Sequence, residues 1–228
     1  MNEAPRGPIV TLDGPAGAGK TSTAREVARR LGLRHLDSGA LYRALTFALL
    51  QSGVPPERWA ELRVDELGAL GVTQVGREDG FEVRVGGRVV DRELRTPEVT
   101  SHVSLLARIP AARECLLDLQ RAAGAEGGLV ADGRDMGTVV FPDAEVKVFL
   151  VAALEERARR RLLEGGAEPG ATTLAAEAQA IARRDEQDSG REVSPLQRPE
   201  GAVEIDTTGL AFEEQVEAIV GLAERLTA

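Results

Sequence analysis

The run Gly14-Pro15-Ala16-Gly17-Ala18-Gly19-Lys20-Thr21 has the spacing G-x-x-x-x-G-K-[ST], and Ser22 follows it. Backbone N–H groups of such a turn can converge on phosphate oxygens. A lysine ammonium can reach the β- and γ-phosphates of a nucleotide, and the threonine hydroxyl can hold Mg²⁺. Lys20 is one of two lysines in the chain, with Lys147; all the other residues among the 28 Lys+Arg are arginine. A bias toward arginine that spares this position fits the chemistry, because a planar guanidinium fork cannot replace a slim ammonium there. Gly14 to Ser22 are therefore expected to bind ATP, with Lys20 catalytic and Thr21 on the metal.

Other groups have chemistry-bearing spacing. Asp37-Ser38-Gly39-Ala40-Leu41-Tyr42-Arg43 suits a capped helix start, but a cap does not explain Arg43. Asp132-Gly133-Arg134-Asp135 follows an apolar run, and ligands of parallel sheets bind beyond the carboxyl ends of strands. Asp-Gly is common in turns, yet an arginine flanked by aspartates is a better anion site than a turn requires. Arg184, Asp188 and Arg191 lie at i, i+4 and i+7 and share one helical face if the helix runs as far as Arg191. Arginine before carboxylate is the less favourable order for a helical ion pair, which favours a ligand-directed role. Arg157 and Arg161 share a face beside a glycine-rich break and could close on a polyphosphate, whereas Arg159 and Arg160 suit a solvated face about equally well. His35 and His102 have no ligand spacing with Cys115, so each reads as a satisfied or exposed histidine.

The elements that must position these groups alternate. Pro8 to Leu12 reads as a buried strand, and Thr21 to Leu31 as a helix with Ala24, Val27, Ala28 and Leu31 on one side. A short strand at 33–36 and a helix at 39–50 follow, then a helical segment at about 57–70 stopped by Gly71. Short β-like runs at 72–75, 81–85 and 88–90 break the rhythm, with Gly86-Gly87 as a hairpin turn. Helices are expected from Pro97 and from Pro110, strands at 128–131, 146–150 and 202–205, arginine-rich helices between the last two, and a final helix at 212–226. Strands alternating with helices predict a parallel α/β sheet.

The 228 residues suffice for one core domain with inserts, and 43% hydrophobic with 29% charged residues is ordinary for a globular protein. A net charge of −9 argues against nucleic-acid or membrane-surface partners. Cys115 is the single cysteine, which excludes an internal disulfide and suits a cytoplasmic home; it reads as a small buried hydrophobe. No secretory segment is read at the N-terminus, and no apolar run reaches transmembrane length.

Taken together, these residues resemble the bacterial cytidylate kinase family. The resemblance runs through Ile9 to Lys20, Leu36 to Gly39 with Tyr42-Arg43, Arg95 to Val99, Arg113-Glu114, Ala131 to Asp143, Arg184-Asp185 to Arg191 and Ser194 to Leu196. It implies an α/β P-loop nucleoside triphosphate hydrolase fold forming a single domain over 1–228. A β-containing monophosphate-binding insertion would occupy about 61–104 and a lid about 157–172. It further implies that Ser104, Arg113 and Asp135 face cytosine and that Arg184 and Asp188 hold the ribose, with Ser38 close by. Arg43, Arg134 and Arg191 would grip the CMP phosphate, and Arg157 and Arg161 would belong to the lid. The implied reaction is ATP + CMP (or dCMP) to ADP + CDP (or dCDP) with Mg²⁺, by a protein expected to act as a monomer. Alternatives are a kinase for another monophosphate or small acceptor and a P-loop regulator, although no Asn-Lys-x-Asp guanine motif is evident.

Overall fold

The computed structural model describes residues 7–227; the extreme N-terminus, read above as free of a secretory segment, lies outside that range. In chain order the elements are β1 (Ile9–Asp13), α1 (Lys20–Leu31), β2 (Arg34–Asp37), α2 (Ser38–Ser52), α3 (Val64–Gly68), β3 (Val72–Gly76), β4 (Phe81–Val85) and β5 (Arg88–Val89). There follow α4 (Pro97–Leu106), α5 (Pro110–Ala123), β6 (Leu129–Gly133), β7 (Val146–Val151), α6 (Leu154–Glu164), α7 (Ala171–Ser189), β8 (Val203–Asp206) and α8 (Phe212–Thr227).

The apolar runs become central strands because both of their faces are covered. The main sheet has the order β2-β6-β1-β7-β8 with every pairing parallel. Alternate side chains feed two cores. Val10, Leu12, Val130, Val148 and Leu150 pack with Ala24 and Val27 of α1 and Val216 and Ile219 of α8. Leu36, Leu129 and Ala131 pack on the other side with Leu41 and Leu45 of α2 and Leu116 of α5. This is the α/β architecture that the alternation predicts. The carboxyl ends of β1, β2 and β6 lie side by side, with Asp37 opposite Asp132 and Asp13 opposite Gly133. Charged groups from three distant stretches therefore meet at one rim.

A second sheet, β3-β4-β5, is antiparallel, with Gly86 and Gly87 at positive φ in its tight turn. It packs on α2 through Val72, Val83 and Val85, near Ala44, Val90 and Leu94. At its other end the turn at Asp79–Gly80 meets β2, where Gly80 pairs with His35. Residues 157–172 hold most of α6, a glycine-rich turn and the start of α7, and the two helices share a small core of Ala158 and Ile181 with Ala16.

Two expectations are corrected. The segment at 57–70 is not one helix: a 3₁₀ turn at Pro56–Glu61 and α3 are separated by Leu62, whose backbone is extended. Trp59 explains the break, since its ring is fully buried and its indole N–H donates to Val54 O at 2.8 Å. Anchoring that large ring outweighs continuing a helix whose exposed face gains little. Nor does Arg191 lie on the helix of Arg184 and Asp188. α7 ends at Ser189 with Gly190 as its cap, and the chain folds back so that Leu196 N donates to Asp188 O at 2.9 Å. No described helix is long and apolar enough to cross a membrane.

Candidate active site

The chain leaves β1 at Asp13, turns through Gly14 to Gly19, and enters α1 at Lys20. Gly14 has φ +151, and a Cβ there would lie 2.1 Å from Leu150 O, so only glycine fits against β7. No side chain caps the N-terminus of α1, leaving its first N–H groups for an anion. Lys20 is 6% exposed and its ammonium donates to Pro15 O at 2.7 Å. Burial, with Arg134 nearby, holds its pKa well below the usual lysine range. Behind the loop, Ala16 N donates to Asp185 Oδ1 at 3.0 Å, while Arg157 donates to Ala16 O at 2.9 Å and to Asp185 Oδ2 at 2.5 Å.

Beside the loop, the Thr21 hydroxyl donates to Asp132 Oδ2 at 2.7 Å. A hydroxyl and a carboxylate in contact at the head of α1 form a donor set suited to Mg²⁺, which takes one or two protein oxygens and otherwise phosphate and water. Among the described residues no group of three or more His, Cys, Asp or Glu could hold a metal without such help. Asp13 is turned inward, accepting from Met136 N and Gly137 N at 2.8 Å each. It thereby anchors the π-helical turn Met136–Val140 that presents Arg134 and Asp135. Burial pushes its pKa up to about 6, against the two N–H bonds that lower it. The folded state thus binds this proton more tightly than the unfolded chain. Its contribution to stability is complete below about pH 4, is lost as pH rises through 6, and amounts to about 3 kcal/mol. A ¹³C carboxyl titration of the nucleotide-free protein is expected to place the Asp13 midpoint near pH 6; a midpoint in the ordinary carboxylate range would refute that environment.

Across the cleft, ion pairs arrange the arginines. Arg134 Nε donates to Asp188 Oδ2 at 2.8 Å, and Arg191 donates to Asp188 Oδ1. Burial opposes the Asp188 charge, but Arg134 and Arg191 outweigh it and hold its carboxyl below the usual range. Arg113 donates to Asp135 and to Ala107 O, and its guanidinium lies 5.4 Å from the centre of the Tyr42 ring. Arg43 donates to Thr100 Oγ1 at 2.9 Å. Burial and neighbouring cations lower the pKa of Arg43 and Arg191, and push Arg184 down to about 9. The Nε atoms of Arg113, Arg184 and Arg191 are buried without a partner. These groups line one cleft of about 850 Å³, whose wall carries nine Lys or Arg against six Asp or Glu. A chain of net charge −9 has gathered a cationic excess here and left it partly uncompensated. The arrangement is built to receive anions at both ends.

The cytidylate kinase family model matches residues 10–225. The chain belongs to the cytidylate kinase family. The cytidylate kinase of Geobacter sulfurreducens is 44% identical over 225 residues, covering 97% of this chain and 96% of that protein. The bifunctional pantoate ligase/cytidylate kinase of Synechocystis sp. is 46% identical over 222 residues, which cover 96% of this chain and 43% of that longer protein. Among solved structures, the shikimate kinase of Bacteroides thetaiotaomicron is similar at a TM-score of 0.48 and 14% identity, covering 96% of this chain and 97% of that one.

Against the residues expected from sequence, this family member's cleft is lined by Ala16, Gly17, Gly19, Lys20, Thr21 and Ser22 on one side. On the other side stand Ser38, Arg43, Ser104, Arg113, Arg134, Asp135, Arg161, Arg184, Asp188 and Arg191. Gly14, Pro15 and Ala18 do not line it; they shape the loop. Arg157 does not line it either, because its guanidinium is committed to Ala16 O, Ala152 O and Asp185. Arg161 is paired with Glu177 at the cleft edge. Arg159 is exposed on Glu156, as a solvated face requires, whereas Arg160 reaches Thr207 Oγ1 at 3.0 Å. Cys115 is only partly buried. Asp132, part of the run singled out from sequence, lines the cleft, and His35 is a satisfied histidine, its Nε2 2.8 Å from Asp132 Oδ1; Asp185, which holds the loop at Ala16, carried no site expectation of its own. Asp185 stands next to Arg184 in sequence, but no spacing reveals a partner 169 positions away.

Proposed function

We propose that this chain transfers the γ-phosphoryl group of ATP to CMP, and to dCMP, releasing ADP and the diphosphate. The observation that carries this reading is one cleft with Lys20 and an uncapped helix start on one wall and the Arg134–Asp188–Arg191 cluster with the Arg113–Asp135 pair on the other. A monophosphate acceptor is largely dianionic near pH 7, its second pKa being about 6, so no general base is needed. The obstacle is repulsion between two polyanions. Lys20, the loop N–H groups, Arg43, Arg134 and Arg191 would neutralise them and hold donor and acceptor in line. When bound, Mg²⁺ supplies charge neutralisation of the donor phosphates, held by Thr21 and Asp132. Arg184 and Asp188 would hold the ribose beside Ser38. The segment 157–172, with Arg161, would close over the phosphates and exclude water. Arg157 would act from behind, by fixing the loop carbonyl of Ala16.

Base choice follows from the Arg113–Asp135 pair near Ser104. Cytosine presents an amino donor to a carboxylate and acceptors to a guanidinium; uracil places an oxygen against the carboxylate. Asp135→Asn keeps the volume and part of the Arg113 contact. It is expected to lower the CMP/UMP ratio of kcat/KM by about 10- to 100-fold, the worth of one hydrogen bond to a charged group. An unchanged ratio would remove Asp135 from base recognition. The overall test is a coupled ADP-release assay across CMP, dCMP, UMP, AMP and dTMP. CMP and dCMP should dominate, and a preference for another acceptor would overturn the reading.

A further inference from the structure

We propose that His35 is a positioning residue for the metal end of the donor site, holding the Asp132 carboxylate in the orientation that receives Thr21. This rests on the reading of Thr21 and Asp132 as the metal-binding pair. His35 lies on β2, and its Nε2 is 2.8 Å from Asp132 Oδ1, with side chains 9% and 4% exposed. The other oxygen of Asp132 accepts the Thr21 hydroxyl. For Asp132 to accept on both oxygens, His35 must carry its proton on Nε2. With one donor on each oxygen, the carboxylate cannot rotate without breaking a partly buried hydrogen bond, and a lone pair remains on each oxygen for a ligand.

The backbone that carries the ring is fixed by the neighbouring turn. His35 N donates to Asp79 O at 3.1 Å, and His35 pairs with Gly80 in an isolated bridge. A Cβ at Gly80 would lie 2.8 Å from His35 O, so the turn between β3 and β4 sits directly on this residue. His35 thus touches the second sheet through its backbone and the donor site through its ring. A purely structural histidine would need no carboxylate that is itself engaged by the loop threonine. Outer partners that orient metal-binding side chains change metal affinity or activity on removal, by about 10- to 100-fold.

The test is calorimetric binding of ATP to the parent, His35→Phe and His35→Gln, each with Mg²⁺ and with EDTA. His35→Phe keeps a ring but cannot donate. It should weaken Mg²⁺-ATP by about 10-fold or more and leave metal-free ATP within about two-fold, while His35→Gln, whose amide can donate, recovers most of the loss. The KM for CMP should stay near the parent value. Equal weakening with and without Mg²⁺, or no recovery in His35→Gln, overturns the proposal. A parent that binds ATP equally with and without Mg²⁺ overturns the metal reading itself. A parent with clear Mg²⁺ dependence that His35→Phe leaves untouched overturns only the role of His35. Should His35→Phe fail to fold, imidazole ¹⁵N spectra of the parent decide. His102→Gln assigns the signals, the His35 proton is expected on Nε2, and a proton on Nδ1 alone overturns the proposal.

Discussion

Lys20→Met is expected to reduce kcat by at least about 10²–10³-fold, the loss seen when one preorganised donor to developing charge is removed. The folded state should survive and be no less stable without nucleotide. Lys20 is almost fully buried, and burial with Arg134 lowers its pKa well below the lysine range. An ammonium in that position costs the empty fold free energy at every pH below its unfolded value. Methionine keeps the length of the stem and removes the charge. Thermal melts should therefore show an unchanged or raised Tm in the empty protein and a smaller rise on adding ATP. Turnover within about ten-fold of the parent would take Lys20 out of the chemistry. A lower Tm in the empty variant would refute the electrostatic account of the site.

The second large effect is on stability. Asp188→Asn should destabilise the nucleotide-free protein by about 3–5 kcal/mol, because breaking a buried ion pair leaves uncompensated charge. Asp188 is 1% exposed and accepts from both Arg134 and Arg191, with Arg184 close enough to act on its charge. The carboxyl pKa is lowered in the fold, so its contribution is present above the unfolded value of about 4 and is lost as pH falls below it. The difference between parent and variant should accordingly narrow in acid. Sulfate or inorganic phosphate should restore part of the loss by supplying the missing negative charge. Urea unfolding with and without sulfate checks both points. A loss under about 1 kcal/mol, or one indifferent to anions, would mean that the cluster is not an anion site.

The parts legible in the sequence were those whose physics is local. The phosphate loop is contiguous, and Gly17 and Gly19 within it take positive φ, which glycine adopts without steric cost. The central strands were legible because burial on both faces demands unbroken apolar runs. Pro97 and Pro110 marked helix starts that the structure keeps. The break at Leu62 was hidden, because the depth available to Trp59 depends on elements from elsewhere in the chain. Arg157 had the right type and spacing for a cleft residue, yet its guanidinium found the Ala16 carbonyl and Asp185 first.

Residue order settled which chemistry is available: a lysine after a glycine turn, a threonine beside it, and arginines set among aspartates. Which arginine meets which carboxylate was settled by packing. Parallel strands bring Asp37 and Asp132 to one rim, and the turn after α7 carries Arg191 back to Asp188. Helical and strand periodicity act over a few residues, whereas the pairing of buried charges depends on where the sheet and its covering helices leave room.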